Sequence, residues 1–271
     1  MTTVKVVDST FSHNRAIGYA GENAGKAPLS FTWDTSPGDA NIKVWTDIRL
    51  KEAIDDPTPR KIAWLLEPPV VNPGMYEWVA EHQDAFAYVL THQWDLANSG
   101  MPFLYYPFGG SWIREWQVFP KTNMISMLVS GKNLTEAHRL RHKAATIPQV
   151  ETFGAGVGRH VKSKAEALRS YCFAVVIENG TSDIWFTEKL LDCLSQGTIP
   201  IYRGCSQIGK LFDTRGMILW QDLSELEDIV RGLTMEDYRR RIPSVVANLR
   251  KAAAFRCPED WVVGHYPGLL F

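Results

Sequence analysis

Residues 171–205 read YCFAVVIENGTSDIWFTEKLLDCLSQGTIPIYRGC, an apolar run, a polar turn, a helical period and a second apolar run in close succession. A helix between two short strands crosses one face of a sheet and returns the chain in its starting direction, so the two strands pair in parallel. The same alternation places strands at Met124–Val129, Val150–Phe153, Tyr171–Ile177 and Thr198–Tyr202. Helices are expected at Glu136–Ala145, Lys164–Ser170, Phe186–Ser195, Leu223–Gly232 and Met235–Lys251. Upstream, apolar runs at Val4–Val7, Ile42–Trp45, Lys61–Leu66, Phe86–Leu90 and Phe103–Tyr106 read as strands, with helices near Leu50–Ile54 and Pro73–Glu81. The fold class is therefore α/β.

A chain of 271 residues suits two compact domains of about 100 to 150 residues each. The stretch FGGSWIREW, with Pro120 beyond it, interrupts the pattern, so the expected division is 1–121 and 122–271. The tail KAAAFRCPEDWVVGHYPGLLF reads as irregular; its aromatic side chains need burial, and a return to the first domain would supply it. Residues Asp8–Gly38 are rich in Gly, Ser, Thr, Asn and Pro and read as a long loop that shapes a binding site.

Composition excludes several functions. Basic and acidic residues number 29 and 30, net charge -1, leaving no overall field for nucleic acid. No run of about 18 apolar residues exists to span a membrane, and MTTVKVVDSTFSHNR lacks the apolar core of a signal peptide. Cys172, Cys193, Cys205 and Cys257 show no CxxC spacing and read as free thiols. The expected location is cytoplasmic, and the sequons at Asn133 and Asn179 are read as unmodified.

Site chemistry concentrates at strand ends. The strand from Tyr171 ends in Glu178, Asn179 and Gly180, at the carboxyl edge where open α/β sheets bind ligands. Phe186, Leu190, Cys193 and Leu194 then recur on one helix face, with Glu188, Asp192 and Ser195 elsewhere, and Gly197 closes the helix. The helix amino end, with Lys189 beside it, suits a diphosphate. On spacing alone, the same residues equally describe an ordinary strand–loop–helix with a solvated Glu–Lys pair.

A general base at a strand end would be a carboxylate or an imidazole. Among the first-half acids Asp34, Asp39, Asp47, Glu52, Asp55, Asp56, Glu67, Glu77 and Glu81, only Glu67 directly follows a long apolar strand. Pro68 and Pro69 fix it in a rigid turn. His92, in VLTHQWD, is the reserve base, and His13 a less well placed one. Trp112 and Trp116 could serve as exposed stacking platforms, although core packing is the plainer reading. No DxD, P-loop, GxSxG or HExxH occurs, and GAGVG at Gly154–Gly158, a partial dinucleotide echo, reads instead as lining of the ligand cleft.

The segment through Glu178, Asn179, Trp185, Thr187, Glu188, Lys189, Gly197, Pro200, Tyr202 and Gly204 resembles the donor signature of the α-1,3-fucosyltransferases, glycosyltransferase family 10. Trp185 stands where the family usually has tyrosine, and Arg203 where tryptophan is common. SGKNLTEAHRLRHKAA resembles the helix beneath the donor diphosphate, with Arg139 aligned to the phosphate-binding arginine and Arg141 the alternative. LLEPPVV resembles the E-S-P turn of the catalytic glutamate, with Pro68 in place of serine. The resemblance runs from about Ile62 to Gly204 and is weak before Arg60.

It implies two Rossmann-like domains facing a central cleft, the GT-B arrangement, and inverting transfer of fucose from GDP-fucose to a glycan or oligosaccharide hydroxyl. Glu67 is then the base, and Arg139, Asn179, Trp185, Glu188 and Lys189 line the donor site, with Glu178, Arg141 and His92 as further candidates. No cofactor and no essential divalent metal are expected. Another sugar nucleotide as donor, or a non-catalytic carbohydrate- or nucleotide-sugar-binding protein, is the alternative.

Overall fold

The computed structural model describes residues 2–8 and 15–270; His13 lies outside them. Two wholly parallel sheets, each flanked by helices, form a GT-B-like architecture. The first sheet has β1 (Thr2–Val7), β2 (Phe31–Asp34), β3 (Ile42–Thr46), β4 (Arg60–Trp64), β5 (Tyr88–Thr91) and β6 (Phe103–Tyr105), in the order β2-β1-β3-β4-β5-β6. Helix α1 (Met75–Glu81) connects β4 to β5, and the single turn α2 (Trp94–Ala97) precedes β6.

The second sheet has β7 (Asn123–Leu128), β8 (Glu151–Phe153), β9 (Tyr171–Ser182), β10 (Ile199–Cys205) and β11 (Ile218–Leu219), in the order β11-β10-β9-β7-β8. Its helices are α3 (Glu136–Ala144), α4 (Glu188–Ser195), α5 (Leu223–Gly232) and α6 (Met235–Ala252). The central strand β9 is buried from Tyr171 to Glu178, as a strand covered on both faces must be, which accounts for its unbroken apolar run.

Several local expectations change. The stretch Asp8–Gly38 contains β2: Phe31 and Trp33 are buried and alternate with half-buried Thr32 and Asp34, a short edge strand hidden by its Pro, Gly and Ser neighbours. Residues 47–53 and 164–167 form 3-10 turns in place of α-helix, the second closed by a Ser163–Glu166 capping box. The tail is not irregular, because Pro258 opens α7 (Pro258–His265). Val262, Leu269 and Leu270 pack into the first sheet's core with Trp33, Trp64 and Tyr106. Glu259 is fully buried there, accepting from Trp33 Nε1 at 2.9 Å and from the Ile17 amide.

The segments that follow β6 and β9 meet beyond the carboxyl ends of those strands. Gly109 forms a parallel bridge to Thr187 and its amide donates to Phe186 O at 3.1 Å. A Cβ on Gly109 would stand 2.5 Å from Phe255 O, and its φ is 62°, so glycine is required at this crossing. No helix among the described residues is long and apolar enough to cross a membrane.

Candidate active site

A cavity of about 470 Å³ opens between the sheets, within the usual range for small-ligand sites of about 300–1,000 Å³. Leu66, Glu67, Phe108 and Trp112 bound it from the first half of the chain. The opposite wall carries Ser130, Lys132, His138, Arg141, Asn179, Trp185, Thr187, Glu188 and Lys189, over an apolar floor that includes Leu128, Leu168, Ala174 and Val176. Among the described residues, no three His, Cys, Asp or Glu side chains gather as a metal would need.

Glu67 extends from the end of β4, where the strand pairing has stopped and the two prolines begin. Its carboxylate reaches across the cleft to Asn179 Nδ2 at 3.5 Å. Burial raises its pKa above the ordinary glutamate value of 4.5, with Lys189 pulling the other way and Glu188 adding to the rise. Its backbone is held by Asp47 at the amide and by Tyr76 Oη at the carbonyl, 2.8 Å away. Burial pushes Asp47 itself up to about 7, against the two amides it accepts.

His92, the reserve base, is fully buried and does not line the cavity. Its Nε2 meets Tyr76 Oη at 2.8 Å, and its ring lies between Trp185 and Tyr106. Burial pushes it down to about 3, so it is a neutral ring behind Glu67, out of reach of an acceptor.

The start of α4 is a cluster of charges. Glu178, the last residue of the buried run of β9, accepts from Thr187 N at 3.0 Å and Thr187 Oγ1 at 2.7 Å, and lies 3.8 Å from Lys189. One of the amide groups expected to meet a phosphate therefore serves Glu178 instead. Burial raises Glu178 despite Lys189 and the two Thr187 bonds. Glu188 is opposed by burial, yet Lys164 and Lys189, at 3.1 and 3.4 Å, hold it well below the usual range. Lys164 also pairs with Asp192 at 3.2 Å and lies over the Trp112 ring, 3.7 Å from its centre.

Helix α4 is not half solvated. Asp192 and Ser195 are buried with the apolar residues, because Ser111 Oγ and the Trp112 amide donate to Asp192 at 2.9 and 2.8 Å. Trp112 is accordingly a half-buried support for Lys164, and Trp116 packs against Arg256.

Helix α3 separates its two arginines. Arg139 is exposed and does not border the cavity, whereas Arg141 is 4% exposed and does. Residues two apart differ by about 200° around a helix, which turns one inward and the other to solvent. Arg141 Nε donates to Ile177 O at 2.9 Å and its Nη2 to Asn179 Oδ1 at 2.8 Å. Burial lowers its pKa, but an arginine stays charged. The structure thus brings Glu67, Arg141, Asn179, Trp185, Glu188 and Lys189 to one cavity, with Glu178 directly beneath, and leaves Arg139 and His92 outside it.

Lys132, His138 and Lys164 join the cavity wall although their sequence context gave them no role there, and Trp112, a candidate stacking platform, borders it too. His138 caps α3 through Thr135 and is pushed down to about 4 by burial and by Arg141. The strand-end position of SGK was the available signal for Lys132; Lys164 has none, since its partners lie on a distant helix. Gly154 and Ala155 also border the cavity, and a Cβ on Gly154 would stand 2.4 Å from Val129 O.

Residues 118–240 match Glycosyltransferase family 10 (fucosyltransferase) C-term. An alpha-(1,3)-fucosyltransferase, FucT, from Helicobacter pylori is 31% identical over 74 residues, which span 27% of this chain and 16% of that relative. Among solved structures, alpha1,3-fucosyltransferase with GDP superposes with a TM-score of 0.58 at 13% identity, covering 99% of this chain and 92% of the other. The same enzyme type with GDP-fucose gives 0.55 at 14% identity, covering 94% and 88%. A T4 phage BGT mutant with UDP-glucose gives 0.52 at 12% identity, covering 100% and 99%. At these identities the structural likeness establishes the GT-B fold.

Proposed function

We propose that the protein transfers fucose from GDP-fucose to a hydroxyl group of a glycan, with inversion, a reading supported by the match of residues 118–240 to Glycosyltransferase family 10 (fucosyltransferase) C-term. The observation that carries this reading is the facing of Glu67 and Asn179 across the cleft at 3.5 Å, with Arg141 and Lys189 on the same wall as Asn179.

Residues 1–121 hold the acceptor and 122–271 the donor, the tail being secured to the acceptor unit through α7. Glu67 takes the proton of the acceptor hydroxyl as its oxygen attacks the anomeric carbon, and the bond to the diphosphate breaks. The negative charge that grows on departing GDP falls on Arg141 and Lys189, without a metal ion in this reading. Glu188 and Asn179 orient the donor, and the Trp185 ring borders it. Burial of Glu67 favours this chemistry, since a carboxylate with a raised pKa is a stronger base.

The test is GDP release from GDP-fucose in the presence of a glycan panel, comparing the wild-type protein with Glu67→Gln. Acceptor-dependent release by the wild type and loss of about 10²- to 10⁴-fold in the variant are expected. Equal rates in both would remove Glu67 from the chemistry, and no release with any glycan would remove the transferase reading.

A further inference from the structure

Strand β4 stops pairing at Trp64, and after one last ladder bond to β5 the chain runs on to Glu67 with no strand partner on the β3 side. The backbone groups of this stretch are satisfied by parts drawn from several elements. Leu65 N donates to Leu90 O at 3.0 Å, and Tyr106 Oη donates to Leu65 O at 2.6 Å. On the β3 side, where the chain has already turned away, Asp47 Oδ1 accepts from Leu66 N at 2.7 Å and Glu67 N at 3.2 Å. Tyr76 Oη takes the Glu67 carbonyl, and His92 Nε2 meets the Tyr76 hydroxyl.

Asp47 is the one non-glycine residue with positive φ among the described residues, at 44°, and it is fully buried. Asp and Asn tolerate this region better than other residues with a Cβ, but a disfavoured backbone inside a core persists only where surrounding contacts demand it. The conformation here turns the carboxylate from the end of β3 onto the amides of the neighbouring strand's extension. Asp47 does not border the cavity, so it cannot touch a substrate bound there.

We propose that Asp47 is a positioning residue for Glu67, fixing the direction in which the Glu67 side chain leaves the sheet edge, while Tyr76, backed by His92, holds the same residue by its carbonyl. This rests on the reading of Glu67 as the base. A carboxylate displaced by about 1 Å from the acceptor oxygen loses much of its effect, which gives the two backbone clamps a catalytic consequence.

The experiment measures acceptor-dependent GDP release, donor affinity and thermal midpoint for Asp47→Ala, Asp47→Asn and Tyr76→Phe, each in the wild-type and Glu67→Gln backgrounds. Asp47→Ala is expected to lower kcat by about 10- to 100-fold with GDP affinity within about twofold. Asp47→Asn keeps an acceptor oxygen and tolerates the backbone, so it restores most of the rate. In the Glu67→Gln background neither Asp47→Ala nor Tyr76→Phe lowers the residual rate further, because nothing is left to position. Should Asp47→Ala not fold, Tyr76→Phe, which removes one hydroxyl, tests the other clamp in the same way.

Losses that multiply with that of Glu67→Gln, or a kcat unchanged in both single variants, would overturn the positioning role. Failure of the underlying reading looks different: Glu67→Gln would then be as active as the wild type, and the proposal would fall with it.

Discussion

The side-chain amide of Asn179 spans two functions: its Nδ2 stands 3.5 Å from a Glu67 carboxylate oxygen, and its Oδ1 accepts from Arg141 Nη2 at 2.8 Å. One short side chain thus couples a cation of the second sheet to a carboxylate of the first. The charges of the cleft are arranged around that link, and the consequences can be measured.

Arg141, not Arg139, is expected to matter for donor binding. Arg141→Ala removes a buried guanidinium beside the cavity, and a hydrogen bond to a charged group contributes about 1.5–3 kcal/mol. Affinity for GDP should fall about 10- to 100-fold, read by calorimetric titration, while Arg139→Ala on the exposed face should leave it within about twofold. The reverse order would place the diphosphate on the far side of α3.

Activity should be lost on the acid side. A base works only when unprotonated, so kcat falls as pH drops through the Glu67 pKa, which burial places above the ordinary 4.5. Lys189 lowers that pKa and Glu188 raises it. The acid limb of kcat at saturating donor should therefore move to higher pH in Lys189→Met and to lower pH in Glu188→Gln. Shifts in one common direction would contradict this electrostatic account.

Lys164 pairs with two buried carboxylates, Glu188 and Asp192. Lys164→Met leaves Glu188 with Lys189 alone and Asp192 with neutral donors. Removing one partner of a buried pair costs about 3–5 kcal/mol, measurable by urea denaturation. Because the pKa of Glu188 is depressed in the fold, the stabilisation it shares with Lys164 is complete above about 4.5 and is lost as pH falls toward the folded value. The Met variant should show a smaller acid-side decline than the wild type.

The tail should be structural. Glu259→Ala strands the Trp33 indole N–H and the Ile17 amide in the first core, and each lost partner costs about 1–3 kcal/mol. A fall of about 2–5 kcal/mol with donor affinity preserved is the expected result of denaturation and titration together.

The fold was largely legible because its strands are short apolar runs with few competing readings, as in KIAWLL and YCFAVVI. What escaped depended on context. FTWD gives too brief an alternation to stand out between Pro28 and Pro37, and α7 owes its existence to a core supplied by the other end of the chain. At the site, Glu67, Asn179, Glu188 and Lys189 could be singled out because strand ends and helix starts are where a parallel sheet presents polar groups. The choice between Arg139 and Arg141 was a matter of helix phase, which the mixed pattern EAHRLRHKA does not settle. Lys164, Trp112 and Asp47 acquire their places only through partners remote in sequence or from an unusual backbone angle.

The most direct measurement is calorimetric titration of the full chain with GDP-fucose, GDP-mannose, UDP-glucose and GDP in chelator, repeated with Lys189→Ala. The wild type is expected to bind GDP and GDP-fucose in preference to the other two sugar nucleotides, and the variant to bind both about tenfold or more weakly. Absence of binding by any of the four, or affinities that Lys189→Ala leaves unchanged, would contradict the assignment of the cavity as the donor site.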